Sequence, residues 1–111
     1  SMKMKPSANV QFEYKGRFYE GVASGSGGYD AFMNALNKLS GRMGVKVPRL
    51  LDFEITIPPG GNSNSLVEAV IKWDNGLITH AVSSDQVKAA IKATERVMNL
   101  LDSQTNENNI F

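Results

Sequence analysis

The feature that most constrains this chain is an internal repeat. A hairpin pattern, a small-residue turn and a helical stripe run from about Gly16 to Leu39, and the same order recurs from about Gly76 to Met98. In the first half Val10, Phe12 and Tyr14 alternate with Asn9, Gln11 and Glu13, the period of two of a half-buried strand. Lys15-Gly16 supplies a turn, and Arg17 to Ala23 reads as the returning strand, with Phe18 and Val22 expected on its core side. From Tyr29, Phe32, Ala35, Leu36, Leu39 and Met43 recur at spacings of three and four, the apolar stripe of an amphipathic helix, with Gly41 and Gly44 expected to mark its end.

The second half opens on Leu51, Phe53, Ile55 and Ile57 alternating with Asp52, Glu54 and Thr56, a third strand. The run Pro58-Pro59-Gly60-Gly61-Asn62-Ser63-Asn64 reads as a loop, because proline and this density of glycine and asparagine do not belong inside a sheet. Leu66 to Trp73 and Leu77 to Val82 form a hairpin around Asp74-Asn75-Gly76. Ser83, three residues before Gln86, reads as a capping box for a helix striped by Val87, Ala90, Ile91, Thr94, Val97, Met98 and Leu101.

The predicted order is β-β-α-β-β-β-α. Its fold class is α+β: an antiparallel sheet with two helices on one face, built as a pseudo-two-fold repeat of hairpin-and-helix units. Helices are the only elements available to cover the apolar sheet face. The opposite face, with Tyr19, Val70 and Leu66, is expected to be partly buried against a second copy. One domain over residues 8–101 fits the length of 111 residues and a hydrophobic fraction of 41%. Residues 1–7 hold Ser1, read as a tag remnant, and a stretch that could contribute part of a strand; residues 102–111 read as a frayed polar tail.

Composition narrows the chemistry. Twelve Lys+Arg against eleven Asp+Glu leave a net charge of +1, which points away from nucleic acid or an anionic membrane as the main partner. The absence of cysteine removes thiolate nucleophiles and sulfur-ligated zinc, and agrees with a cytoplasmic protein. No apolar run reaches the roughly 18 residues of a membrane span. His80 is the only histidine; Asp74, Asp85 and Glu20 are its candidate partners, but no second His or carboxylate recurs at ligand spacing. It reads as a surface or satisfied histidine, so no catalytic residue and no metal site are assigned.

Ser24-Gly25-Ser26-Gly27-Gly28 before a helix lacks the lysine-Ser/Thr ending of a phosphate-binding loop. Two readings remain for it: glycine that only turns the chain tightly, or a helix start whose N–H groups and dipole receive an anion such as a carboxylate. A different class of function also fits part of the order. Tyr29 to Leu101 runs α-β-β-β-α, the order of a double-stranded-RNA-binding domain, with Lys88, Lys92 and Arg96 on the last helix. Asp85 at that helix start has the wrong sign for a phosphate-contacting row.

Three segments in order are more specific. Ala23-Ser24-Gly25-Ser26-Gly27-Gly28-Tyr29-Asp30-Ala31-Phe32 with Asn34-Ala35-Leu36, then Leu51 to Ile55 with Gly60 to Val70, then Ala81 to Gln86 with Ala89-Ala90, together resemble the allosteric domain of the α-isopropylmalate synthase and citramalate synthase family. The family's usual Pro-Val before Asp-Ala is Gly28-Tyr29 here, and the glycine before its second Val-Ser is Ala81.

The resemblance implies two β-β-β-α units, of which the first shows two clear strands here. It implies a homodimer that binds leucine or isoleucine and so inhibits the catalytic barrel of a parent enzyme in branched-chain amino-acid biosynthesis. No cofactor is implied for the domain itself; the barrel would use a divalent metal and acetyl-CoA. The residues it puts forward for the effector are Gly28, Tyr29, Asp30 and Ala31 at the helix start for the carboxylate. Asp30 or carbonyls near Pro59 and Gly60 would take the ammonium, and Ala31, Ala35 and Ile57 the branched side chain.

Overall fold

The computed structural model describes residues 2–57 and 66–109. Its elements are β1 (Ser7–Tyr14), β2 (Arg17–Ser24), α1 (Gly28–Met43), β3 (Leu50–Thr56), β4 (Val67–Trp73), β5 (Ile78–Ser83) and α2 (Gln86–Asn109). The α+β class and the antiparallel pairing match expectation, but the strands hydrogen-bond as two sheets, β1-β2 and β3-β4-β5, where the sequence predicts a single sheet. Backbone contacts divide the chain into two compact units, residues 1–47 and 48–111, each with its own sheet and its own helix.

In the first unit the hairpin turns on Lys15 and Gly16, both at positive φ (50° and 76°), the conformation that matches a two-residue turn to the right-handed strand twist. The turn sets the register: Tyr14 faces Arg17, Phe12 faces Tyr19, Val10 faces Gly21 and Ala8 faces Ala23. Residues directly opposite share a face, so Gly21, Ala23 and Tyr19 lie on the side of Val10 and Tyr14, under α1. The expected phase of β2 is therefore reversed. Phe18 and Val22 are 80% and 54% exposed, opposite Glu13 and Asn9.

Helix α1 buries Ala31, Ala35, Leu36, Leu39 and Met43 on this hairpin. Glycine at position 21 is required by closeness: a Cβ there would lie 2.9 Å from the Ala35 carbonyl oxygen and 3.0 Å from Leu39 Cγ. The helix ends at Gly44, which adopts the left-handed conformation (φ 70°) and donates its N–H to Ser40 O; Gly41 lies inside the helix rather than at its end. Residues 2–6 form no strand, so among the described residues this unit stays two-stranded.

In the second unit α2 packs on β5 and β4, burying Ala89, Ala90, Ala93, Val97 and Met98 against Ala69, Ile71, Trp73 and Ala81. Small residues on both surfaces let helix and sheet approach closely. The indole N–H of the buried Trp73 donates to Thr79 Oγ1 at 2.9 Å, and the buried Thr94 hydroxyl donates to Ala90 O at 2.9 Å. A register shift between Leu50 and Asp52 sets Leu50 opposite Trp73 and leaves Leu51 60% exposed, so the expected four-residue apolar face of β3 is broken at Leu51.

The start of α2 is capped by Asp85 and not by a box from Ser83. Asp85 Oδ1 accepts the Val87 and Lys88 N–H groups at 2.7 and 3.1 Å, while Ser83 Oγ accepts only the Asp85 N–H at 3.4 Å. The helix continues past Leu101, where the apolar stripe ends, to Asn109.

Candidate functional site

The glycine-rich turn delivers the chain from β2 into α1 with few side chains to shield the helix start. Gly25 donates its N–H to Pro6 O at 3.0 Å, and a Cβ on Gly25 would sit 2.5 Å from Ala31 N and 2.6 Å from Asp30 Oδ2. The loop therefore lies directly on the first turn. Asp30 reaches back from that turn: its Oδ2 accepts the Ser26 N–H at 2.9 Å and the Ser26 hydroxyl at 3.2 Å. This is the return half of a capping arrangement, a carboxylate in the first turn bonding to the N–H of the entering chain. Gly27, the N-cap, provides no side-chain bond. The two helix starts thus differ, since α2 is closed by the Asp85 carboxylate.

The residues put forward for an effector differ in exposure and fall in both units. Gly28 and Asp30 are exposed and Tyr29 half-buried, its ring 6.0 Å from that of Phe32. Ala31 and Ala35 have no exposure at all, being covered by their own hairpin. Ile57 follows β3 in the second unit and is 76% exposed; Pro59 and Gly60 lie outside the described residues.

Three functional-looking polar residues of α1 escape a reading by apolar period alone. Asn34 Nδ2, Lys38 Nζ and Arg42 Nη2 donate to the carbonyls of Ser24, Val22 and Glu20 at 3.0, 3.0 and 2.7 Å. Four residues of helix advance about 6 Å and two residues of strand about 6.6 Å, so a row at i, i+4 and i+8 can meet every second carbonyl of an antiparallel neighbour. The signal is the polar row beside the apolar stripe. The second unit repeats one rung: Arg96 donates to the His80 carbonyl, again across sixteen residues of sequence as for Lys38 and Val22. Arg96 thereby serves the fold, and so does Asp85.

His80 itself stands on the open face of β5, its imidazole 54% exposed and Nδ1 3.8 Å from Glu68 Oε2. Beside it a shallow groove of about 440 Å³ runs between β5 and α2, lined by Ile78, Thr79, His80, Arg96, Asn99 and Leu100. Among the described residues no three or more His, Cys, Asp or Glu gather as a metal site would require.

Comparison with known families decides the assignment. The family model of the LeuA allosteric (dimerisation) domain matches residues 1–101. The chain belongs to this family. It is also similar to the 2-isopropylmalate synthase of Aquifex aeolicus (strain VF5), with 31% identity over 98 residues, which are 86% of this chain and 18% of that enzyme. The chain thus spans about a fifth of the relative's length. Within the family domain, the glycine-rich turn and its Asp-Ala pair occupy the start of α1.

Proposed function

We propose that this chain is the regulatory, dimerising domain of a 2-isopropylmalate synthase or a related citramalate synthase, and that it binds leucine or isoleucine for feedback inhibition. The match of residues 1–101 to an allosteric (dimerisation) domain carries the reading. The open start of α1 supports it. A branched-chain amino acid needs donors for its carboxylate and acceptors for its ammonium. A helix start without an N-cap side chain favours the first, and the exposed Asp30 carboxylate supplies the second.

Because Ala31 and Ala35 are covered, a ligand arriving at this turn meets Gly28, Tyr29 and Asp30, and its branched side chain requires further apolar surface. On this reading catalysis, with its divalent metal and acetyl-CoA, belongs to a separate barrel, and the protein works as a homodimer in the cytoplasm. Inhibition then requires that ligand-bound and free forms hold the barrel differently, since a ligand with equal affinity for both shifts nothing.

Calorimetric titration with leucine, isoleucine, valine and lysine tests the reading. Leucine or isoleucine should give a saturable heat that lysine does not, and Asp30→Asn should weaken binding at least about tenfold, the equivalent of about 1.4 kcal/mol. No heat from any branched-chain amino acid with the folded protein would overturn it.

A further inference from the structure

We infer that the groove between β5 and α2 binds a small carboxylate that carries a hydrogen-bond donor on its α-carbon and a short apolar body, the chemistry shared by 2-hydroxy and 2-amino acids. The site lies wholly within the second unit and is separate from the glycine-rich turn, so it does not rest on the reading above.

The repeat shows why the groove exists. In the first unit Asn34, Lys38 and Arg42 donate to the carbonyls of Ser24, Val22 and Glu20, three rungs between helix and strand edge. Arg96 on the His80 carbonyl is the counterpart of Lys38 on Val22. Four residues on in the helix and two back in the strand, Leu100 stands where Arg42 stands and Ile78 where Glu20 stands. Leucine has no donor to give. The Ile78 carbonyl points outward from the sheet as that of His80 does, because alternate residues of an antiparallel edge strand turn the same way. Among the described residues no hydrogen bond reaches it. At this missing rung the surface opens into the groove of about 440 Å³, a size typical of small-molecule sites.

The lining groups divide by chemistry. Arg96 uses Nη1 on the His80 carbonyl, and the rest of its rigid fork of N–H groups matches a carboxylate. Asn99, exposed on the same helix, adds an amide. Ile78 and Leu100, 51% and 42% exposed, are the apolar walls. Among the described residues no carboxylate lines the groove; Glu68 is held beside His80, 3.8 Å from its Nδ1. An anion is therefore attracted without an internal competitor.

Spacing selects the occupant. Carbonyls two residues apart on a strand lie about 6.6 Å apart, a gap that a carboxylate and its α-substituent span with a hydrogen bond of about 2.8 Å at each end. The carboxylate meets Arg96. The α-ammonium or α-hydroxyl donates to the Ile78 carbonyl, as the Arg42 guanidinium donates to that of Glu20 at 2.7 Å in the first unit. The apolar body then lies along Leu100. A docking strand fits less well, since Arg96 already holds the His80 carbonyl and interrupts the edge.

NMR titration of the whole chain tests the inference, with 2-hydroxyisocaproate and leucine as probes. Isocaproate is the control without the donor and isopentylamine the control without the carboxylate. Both probes should saturably shift the amides of Ile78, Thr79, Asn99 and Leu100 and the Nε–H of Arg96, with a dissociation constant on the order of 1 mM for so small a ligand. Each control should bind there at least about tenfold more weakly. Leu100→Arg, at an exposed position, supplies the missing donor and fills the groove; it should stay folded and lose these shifts. Arg96→Lys keeps a donor for the His80 carbonyl, as Lys38 does for Val22, but loses the fork, and should weaken both probes about tenfold. Probes that leave the groove signals unmoved well above that concentration overturn the inference, as do controls that bind equally well or a folded Leu100→Arg chain that binds unchanged. Leucine shifts confined to Ser26–Asp30 overturn the groove and sustain the regulatory reading, whereas groove shifts from both probes with Ser26–Asp30 silent sustain the groove and count against that reading.

Discussion

At the scale of single residues, Gly21 and Gly41 perform different tasks, and substitution separates them. Gly21→Ala drives a methyl group to 2.9 Å from the Ala35 carbonyl, where helix backbone cannot yield; it should destabilise the chain by roughly 1–3 kcal/mol in denaturant titration. At Gly41 a Cβ would meet nothing within 4 Å, and the residue sits inside α1, so Gly41→Ala should stabilise by about 0.5–1 kcal/mol in the same assay. Thr79→Val strips the buried Trp73 N–H of its acceptor and should cost about 1–3 kcal/mol, read as a lowered denaturation midpoint. None of these roles is written in the local pattern. Gly21 interrupts a strand-like run as any bulge or bend would, and only the position of α1 shows that a Cβ has no room.

At the scale of elements, the helices are legible in position because a period of 3.6 leaves a repeated apolar stripe: Ala35, Leu36, Leu39 and Met43 are buried as expected, as are Ala90, Thr94, Val97 and Met98, whereas Val87 is 38% exposed and Ala89 and Ala93 are buried in addition. The strands are legible in position but not always in phase. Phe18 and Val22 are the bulky apolar residues of β2, and size alone suggests that they face inward. The register set by Lys15-Gly16 instead pairs Val10 with Gly21 and puts small residues under the helix. The caps divide in the same way. Ser83 has the spacing of a capping box, yet Asp85, nearer the first helical residue, takes both N–H groups. Asp85→Ala should therefore cost about 0.5–2 kcal/mol in thermal or chemical unfolding, with Ser83→Ala costing clearly less.

At the scale of the whole molecule, two copies of one hairpin-and-helix plan have been put to different ends. In the second unit a third strand joins the sheet and the Asp85 carboxylate caps the helix; in the first, among the described residues, the sheet has two strands and the N-cap Gly27 makes no side-chain bond. The repeat is visible in the sequence, and the likeness of its glycine-rich turn to an allosteric domain is matched by family membership across residues 1–101. The candidate site is legible only as far as that turn. Whether a side chain such as Ala35 faces a pocket or a sheet depends on packing that spacing alone does not encode, and the structure buries it completely. The central claim is that the folded domain holds a branched-chain amino acid, and ligand binding to the native state alone raises its stability. Thermal unfolding in leucine or isoleucine at about a hundred times the dissociation constant should show about 2.7 kcal/mol of added stability and a midpoint raised by several degrees, with lysine inert. An unchanged midpoint in saturating leucine and in saturating isoleucine would contradict the claim.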